Sequence, residues 1–167
     1  VDVGKSLCEK DLAATALRIL VKANSTNCAI ILPVDAVVAE KFETNAPSHA
    51  YGLDAIPAGG MILDVGPQSI KRIDAAIDDA ATLVWNGPLG AFEMSPFDRG
   101  TVQAAKYAAA RTKAGKLVSV AGGGDTVAAL NHAGVGSDFT YVSTAGGAFL
   151  EWMEGKPLPG VEVLRVR

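Results

Sequence analysis

The chain has 167 residues, enough for one domain with a sizeable core, and a single domain over residues 1–167 is expected. Hydrophobic residues make up 49% and charged residues 20%, which excludes a disordered chain, and a formal charge of −3 excludes a surface that draws nucleic acid or membrane by bulk electrostatics. No apolar run nears the roughly 18 residues of a membrane span and VDVGKSLCEK is no signal peptide, so a cytoplasmic protein is expected.

Cys8 and Cys28 have no CxxC spacing and read as reduced thiols. The first residue is Val, which reads as a processed chain or a piece of a longer one. Leu12, Ala16, Ile19, Leu20 and Ala23 recur at helical spacing, so a helix is predicted from about Glu9 to Ala23. AIIL, Ala29 to Leu32, reads as a short buried strand, and VDAVVAEKF beyond Pro33 as a second. Glu43 to Gly60 carries turn residues and little periodicity, and is predicted to be a surface loop. MILDV, Met61 to Val65, is strand-like, and Ser69 is placed as the cap of a helix with Ile70, Ile73, Ile77 and Ala80 on one face.

TLVW, Thr82 to Trp85, is the next strand and NGPLG breaks it. Ser95, Pro96 and Asp98 mark the start of a helix that runs to about Lys113 and stops at Gly115. KLVSVA is a strand, followed by GGG and a helix ending near Gly134; FTYV is another, and STAGG leads into a last helix from about Gly146 to Glu154. Strand and helix alternate, and the strands are near-continuous apolar runs, as when both faces are covered. The expected fold is α/β: a doubly wound, mostly parallel, Rossmann-like sheet with helices on both faces in three layers. Ligands of such sheets bind beyond the carboxyl ends of the strands, so the loops of interest follow Val65, Trp85, Ala121 and Val142.

GGGDT turns a strand tightly into a helix. The first helical N–H groups lack internal partners, glycine lets a bulky anion approach, and the helix dipole adds roughly 0.3–1 kcal/mol for a negative charge. Asp125 can cap the helix or hold a hydrated Mg²⁺, which needs only one or two carboxylates beside phosphate oxygens, and Thr126 can offer its hydroxyl. A bare strand-to-helix turn explains the same residues. In NGPLGAFE, Asn86 offers an amide to a base or phosphate. Pro88, Leu89 and Phe92 suit an apolar wall, and Glu93 suits two ribose hydroxyls. A core Phe92 and a solvated Glu93 fit equally well. STAGG repeats the logic of GGGDT, with plain capping by Ser143 and Thr144 as the other reading. His49 and His132 lack partners at metal-ligand spacing, Trp85 and Trp152 read as core, and Lys41 as an exposed strand-end lysine.

Taken together, VGKSL, LPVDAVVAEKF, IPAGGMILDVGPQS, VWNGPLGAFEMSPFDRGT, AGGGDT and STAGGAFLEWMEGKPLPGVEVL resemble, in order, the carboxyl-terminal domain of phosphoglycerate kinases. The resemblance implies a phosphotransferase of glycolysis and gluconeogenesis. Its reaction is reversible phosphoryl transfer between 1,3-bisphosphoglycerate and ADP, giving 3-phosphoglycerate and ATP, with Mg²⁺ as cofactor. It implies Glu93 as the ribose acid and places Asn86, Gly87, Leu89 and Phe92 around base and phosphates. Gly123, Gly124, Asp125 and Thr126 form the phosphate loop, with backbone stabilisation at Gly123 and Gly124 and Asp125 as the magnesium contact.

The family's last glycine-rich turn often has three glycines, and here Ala145 takes the first place. The family's Gly-Gly-Ala-Lys motif, and its Gly-Gly-Gly-Met motif ahead of VGKSL, do not occur. The chain therefore resembles a late portion of the enzyme. It is expected to be inactive alone, to lack two strands of the nucleotide domain, and to expose sheet edges. ATP or ADP is the expected partner, 3-phosphoglycerate binds mainly through the missing amino-terminal domain, and the intact enzyme is expected to be a monomer. The alternative is a non-catalytic doubly wound module that binds nucleotide or protein. A nicotinamide oxidoreductase is disfavoured because no G-x-G-x-x-G opens a predicted helix.

Overall fold

The computed structural model describes residues 2–143 and 146–165, with the Phe149 side chain left aside. The class is α/β, and the described chain divides into two compact units. One holds residues up to Ala75 together with Leu89–Gly100; the other holds Ala76–Pro88 and the chain from Thr101 on. Thr144 and Ala145 of STAGG lie outside the described residues.

In the first unit, helix α1 (Ala13–Ser25) follows a 3₁₀ turn, and strands β1 (Asp35–Ala39), β2 (Ser48–Gly52) and β3 (Met61–Val65) form an antiparallel sheet in the order β2-β1-β3. Ala39, Ala46, Leu63 and Phe97 make its core, with Val37, Met61, Ala91 and Met94 packed around them. Two expectations are corrected here. Ala29–Leu32 forms no strand, because a strand exists only where a neighbour completes its ladder, and Ile30, Ile31 and Leu32 stay exposed. The stretch from Glu43 to Gly60 is not all loop. SHAYG pairs with β1 from Asp35↔Gly52 to Ala39↔Ser48, and that long-range pairing overrides its weak pattern.

Helix α2 (Pro67–Asp79) follows β3. Ser69 lies inside it rather than capping it. The cap comes from Asp35 on β1, which accepts the N–H groups of Gln68 at 2.9 Å and Ser69 at 2.8 Å. The Ser69 hydroxyl reaches Asp35 Oδ1 at 2.6 Å and accepts the Val34 N–H at 2.9 Å. Burial pushes the Asp35 carboxyl up, but the Ser69 hydroxyl and the Gln68 and Ser69 N–H groups outweigh it, and the carboxyl sits below its ordinary range.

The second unit holds the parallel sheet, β4 (Thr82–Asn86), β5 (Val118–Gly122) and β6 (Tyr141–Ser143), in the order β4-β5-β6. Helix α3 (Arg99–Lys113) buries its alanine stripe, Ala104, Ala105, Ala108 and Ala109, and Thr112 ties it to β5 by a 2.8 Å bond to Ser119. Its start falls later than the Ser95-Pro96-Asp98 signal. Residues 91–97 are taken by successive turns, with Met94 N–H on Ala91 O and Phe97 N–H on Met94 O. Gly115 ends the helix with φ +68°, as glycine there predicts. Helix α4 (Gly124–His132), helix α5 (Gly146–Met153) and a short α6 (Pro159–Glu162) complete the chain. Trp85 is half-buried, edge-on to Phe139 at 6.2 Å between ring centroids. Trp152 is exposed, against the expectation that it packs in a core: α5 presents it to solvent in this chain.

Candidate functional site

Parallel pairing aligns three strand ends. Asn86 stands opposite Gly122, and Gly122 opposite Ser143, so the loops after β4, β5 and β6 leave the sheet at one carboxyl edge. The fourth candidate loop, after Val65, belongs to the first unit. Its helix start is already filled: the Asp35 carboxylate binds the first turn of α2, and a Cβ on Gly66 would collide with it.

Between β5 and α4, Gly123 takes φ +100° and ψ 142°, a conformation that side chains other than hydrogen rarely allow. No side chain caps α4, so its first turn lacks the usual carboxylate or hydroxyl partner. Gly124 and Asp125 are exposed, and a Cβ on Gly124 would meet open space. Asn86 leans over this turn, with Oδ1 3.2 Å from the place a Gly123 Cβ would take. Gly146, the first residue of α5, packs against the Gly123 backbone so closely that a Cβ there would overlap it. The starts of α4 and α5 thus converge on Gly123, and two helix N-termini point at one edge.

Thr126 is buried, and its hydroxyl accepts the Gly87 N–H at 2.7 Å. It holds the NGP turn to the GGGDT turn, a role invisible in the sequence because it depends on two distant loops meeting. Trp85 Nε1–H donates to Gly87 O at 2.7 Å and fixes the same turn from the other side. Asn86, Gly87, Gly123, Gly124, Asp125 and Thr126 therefore lie together at one strand-end turn, with the uncapped start of α4 and the exposed Asp125 carboxylate beside it.

Leu89, Phe92 and Glu93 lie in the first unit. Leu89 and Phe92 are half-buried and Glu93 is exposed. Their loop is anchored by Ala91 N–H on Leu63 O at 2.7 Å and by the fully buried Phe97. Beneath it lies Asp64 of β3, which sequence reading passed over. Burial pushes its carboxyl up to about 6, against the lowering by the Gly100 and Val65 N–H groups, and Asp98 adds to the rise. A charged residue in an apolar strand, MILDV, is the one signal in the sequence from which it could have been found.

Among the described residues no group of three or more His, Cys, Asp or Glu could hold a metal ion. A cation at Asp125 would therefore need phosphate oxygens or water for its remaining ligands, which suits Mg²⁺. Cys8 and Cys28 are exposed and unbridged. No described helix is long and apolar enough to cross a membrane.

The sequence model of the phosphoglycerate kinase family matches residues 1–156. The chain is 83% identical over its whole length to phosphoglycerate kinase of Rhodopseudomonas palustris and 81% identical to that of Bradyrhizobium diazoefficiens, covering 42% of each. Its fold matches the structure of phosphoglycerate kinase from Coxiella burnetii with a TM-score of 0.90 at 40% identity, over 98% of this chain and 41% of that one. The chain thus spans about two fifths of the length of the curated relatives it matches.

Proposed function

The chain belongs to the phosphoglycerate kinase family, and on that premise we propose that it carries the phosphate-binding part of a Mg-nucleotide site. The observation that carries this reading is the uncapped start of α4 at Gly123, where three aligned strand ends and the N-terminus of α5 converge. Gly123 and Gly124 would meet phosphate oxygens through the backbone, and Asp125 would take the Mg²⁺. Asn86 and Gly87 border the phosphates, with Thr126 locking their turn in place. Bound Mg²⁺ neutralises phosphate charge; the chain's own groups orient the oxygens and supply fixed dipoles.

Leu89 and Phe92 are assigned to the base and Glu93 to the ribose hydroxyls by family likeness; the exposure of Glu93 accords with this. Both units belong, in this reading, to one nucleotide-binding domain. The whole protein's reaction is phosphoryl transfer between 1,3-bisphosphoglycerate and ADP, giving 3-phosphoglycerate and ATP, in the cytoplasm. Transfer of this kind works by positioning and charge neutralisation, so no side-chain base is needed at Gly123.

Calorimetric titration with Mg-ADP tests the site. We expect saturable binding that Asp125→Ala and Glu93→Ala each weaken by about tenfold. Affinity unchanged in both variants would reject the assignment. The chain alone is expected to show no turnover in an ATP-coupled assay, since it lacks the family's Gly-Gly-Ala-Lys lysine; robust turnover would refute that. Should nucleotide fail to raise the melting temperature, a non-catalytic module becomes the better reading.

A further inference from the structure

We propose that Asp64 is a positioning residue for the nucleotide site, its carboxylate holding the exit of the loop that carries Phe92 and Glu93 while Gly90 packs against it at the entrance. This rests on the reading of Glu93 as a nucleotide-contacting acid.

Asp64 is only 2% exposed, so it touches no ligand itself. Its Oδ2 accepts the Gly100 N–H at 2.7 Å, and its Oδ1 accepts the Val65 N–H at 2.8 Å. Gly100 is in the first turn of α3, so one oxygen holds the exit of the loop. At the entrance, Gly90 adopts φ +59° and lies so close that a Cβ would come 2.5 Å from Oδ1 and 2.7 Å from Leu63 O. A Cβ on Gly100 would overlap Oδ1 as well. Two glycines therefore close around one carboxylate, and the loop between them is short and tied down by buried Phe97. Loss of either anchor changes where Glu93 stands.

The grip depends on charge. An ionised carboxylate accepts both N–H groups, whereas a protonated one turns an oxygen into a donor that opposes an N–H. Burial, helped by Asp98, brings that change up to about 6, within reach of ordinary buffers. Among the described residues, Asp98, from the loop itself, acts on the Asp64 charge, and Asp35 of β1 lines the same 620 Å³ cavity. Asp35 stays ionised across this range because its carboxyl lies below the ordinary value.

The test is a titration of the full chain with Mg-ADP from about pH 5 to pH 8, comparing wild type, Asp64→Asn, Glu93→Ala and the double variant. The nucleotide's own titration cancels in the ratio of two proteins. At the alkaline end Asp64→Asn should bind roughly tenfold more weakly than wild type, and the gap should close to about twofold or less at the acid end. In the Glu93→Ala background, Asp64→Asn should cost no further affinity, because both act through one loop. A ratio flat with pH, or effects that add, overturns the proposal. If wild type shows no saturable binding, or binding ignores Glu93→Ala, the nucleotide reading falls and takes this proposal with it. Should Asp64→Asn not fold, wild-type amide resonances decide: Gly100 and Glu93 should titrate together near the Asp64 midpoint of about 6, and a flat Glu93 resonance overturns the idea.

Discussion

Gly123 holds the turn before α4 at φ +100°, where a side chain is strained whatever the free space. Gly123→Ala also brings a Cβ to 3.2 Å from Asn86 Oδ1 and 3.5 Å from Thr126 Oγ1. We expect a loss of about 1–3 kcal/mol in urea denaturation with an unchanged m value; full stability would mean that the turn relaxes without cost. The two buried aspartates give opposite pH signatures. Asp64 is raised from 3.8 to about 6, so its contribution is complete below 3.8 and is lost as pH climbs through about 6. That displacement corresponds to about 3 kcal/mol, and Asp64→Asn should flatten the slope between those values in chemical denaturation. Asp35 is lowered, so its contribution is complete above 3.8 and fades as pH falls through its folded value. The stability deficit of Asp35→Asn should therefore be full at neutral pH and shrink in acid; a deficit constant down to the acid transition would show that the bonds to α2 do not depend on charge. Of these residues, the glycines of the GGGDT turn stood out in sequence as a run. Asp64 and the tie from Thr126 to Gly87 did not, since their partners lie 36 and 39 positions away.

At the scale of elements, α1 is the anomaly. Its hydrophobic residues recur at helical spacing, yet among the described residues of the helix only Ala23 is buried, and Leu17, Ile19 and Val21 are all more than half exposed. A helix of this length is marginal without packing. We expect amides across Ala13–Ser25 to exchange within seconds to minutes at neutral pH, while those of β5 and α4 remain protected far longer. Equal protection would mean that something covers the apolar face. Periodicity located α1 to α5 to within a few residues, because a helix needs only local bonds and one buried stripe. It misplaced 29–32 and missed β2 for the reverse reason: a strand is a property of a pair, and the partner is not in the strand's own residues.

Across the whole molecule, unpaired apolar surface is the dominant feature. β4 is an edge of the parallel sheet with Val84 exposed, and Ile30, Ile31 and Leu32 are an exposed apolar run outside any described strand. Such edges template pairing between copies. We expect sedimentation velocity to show association that grows with concentration below about 100 μM, reduced by Val84→Lys. A chain that stays monomeric, with or without that change, would show that these edges are satisfied in solution.

The sequence alone determined the α/β class, most helices, the strand ends that carry glycine turns and the family, because each rests on local pattern or on ordered motifs. Only the tertiary structure decided that β1 and β3 run antiparallel, that Asp35 caps a helix in place of a ligand, that α4 and α5 start against one glycine, and that a buried carboxyl underlies the Glu93 loop. Those outcomes depend on which distant backbone groups meet and on how much water they lose in meeting, quantities that no stretch of residues carries by itself.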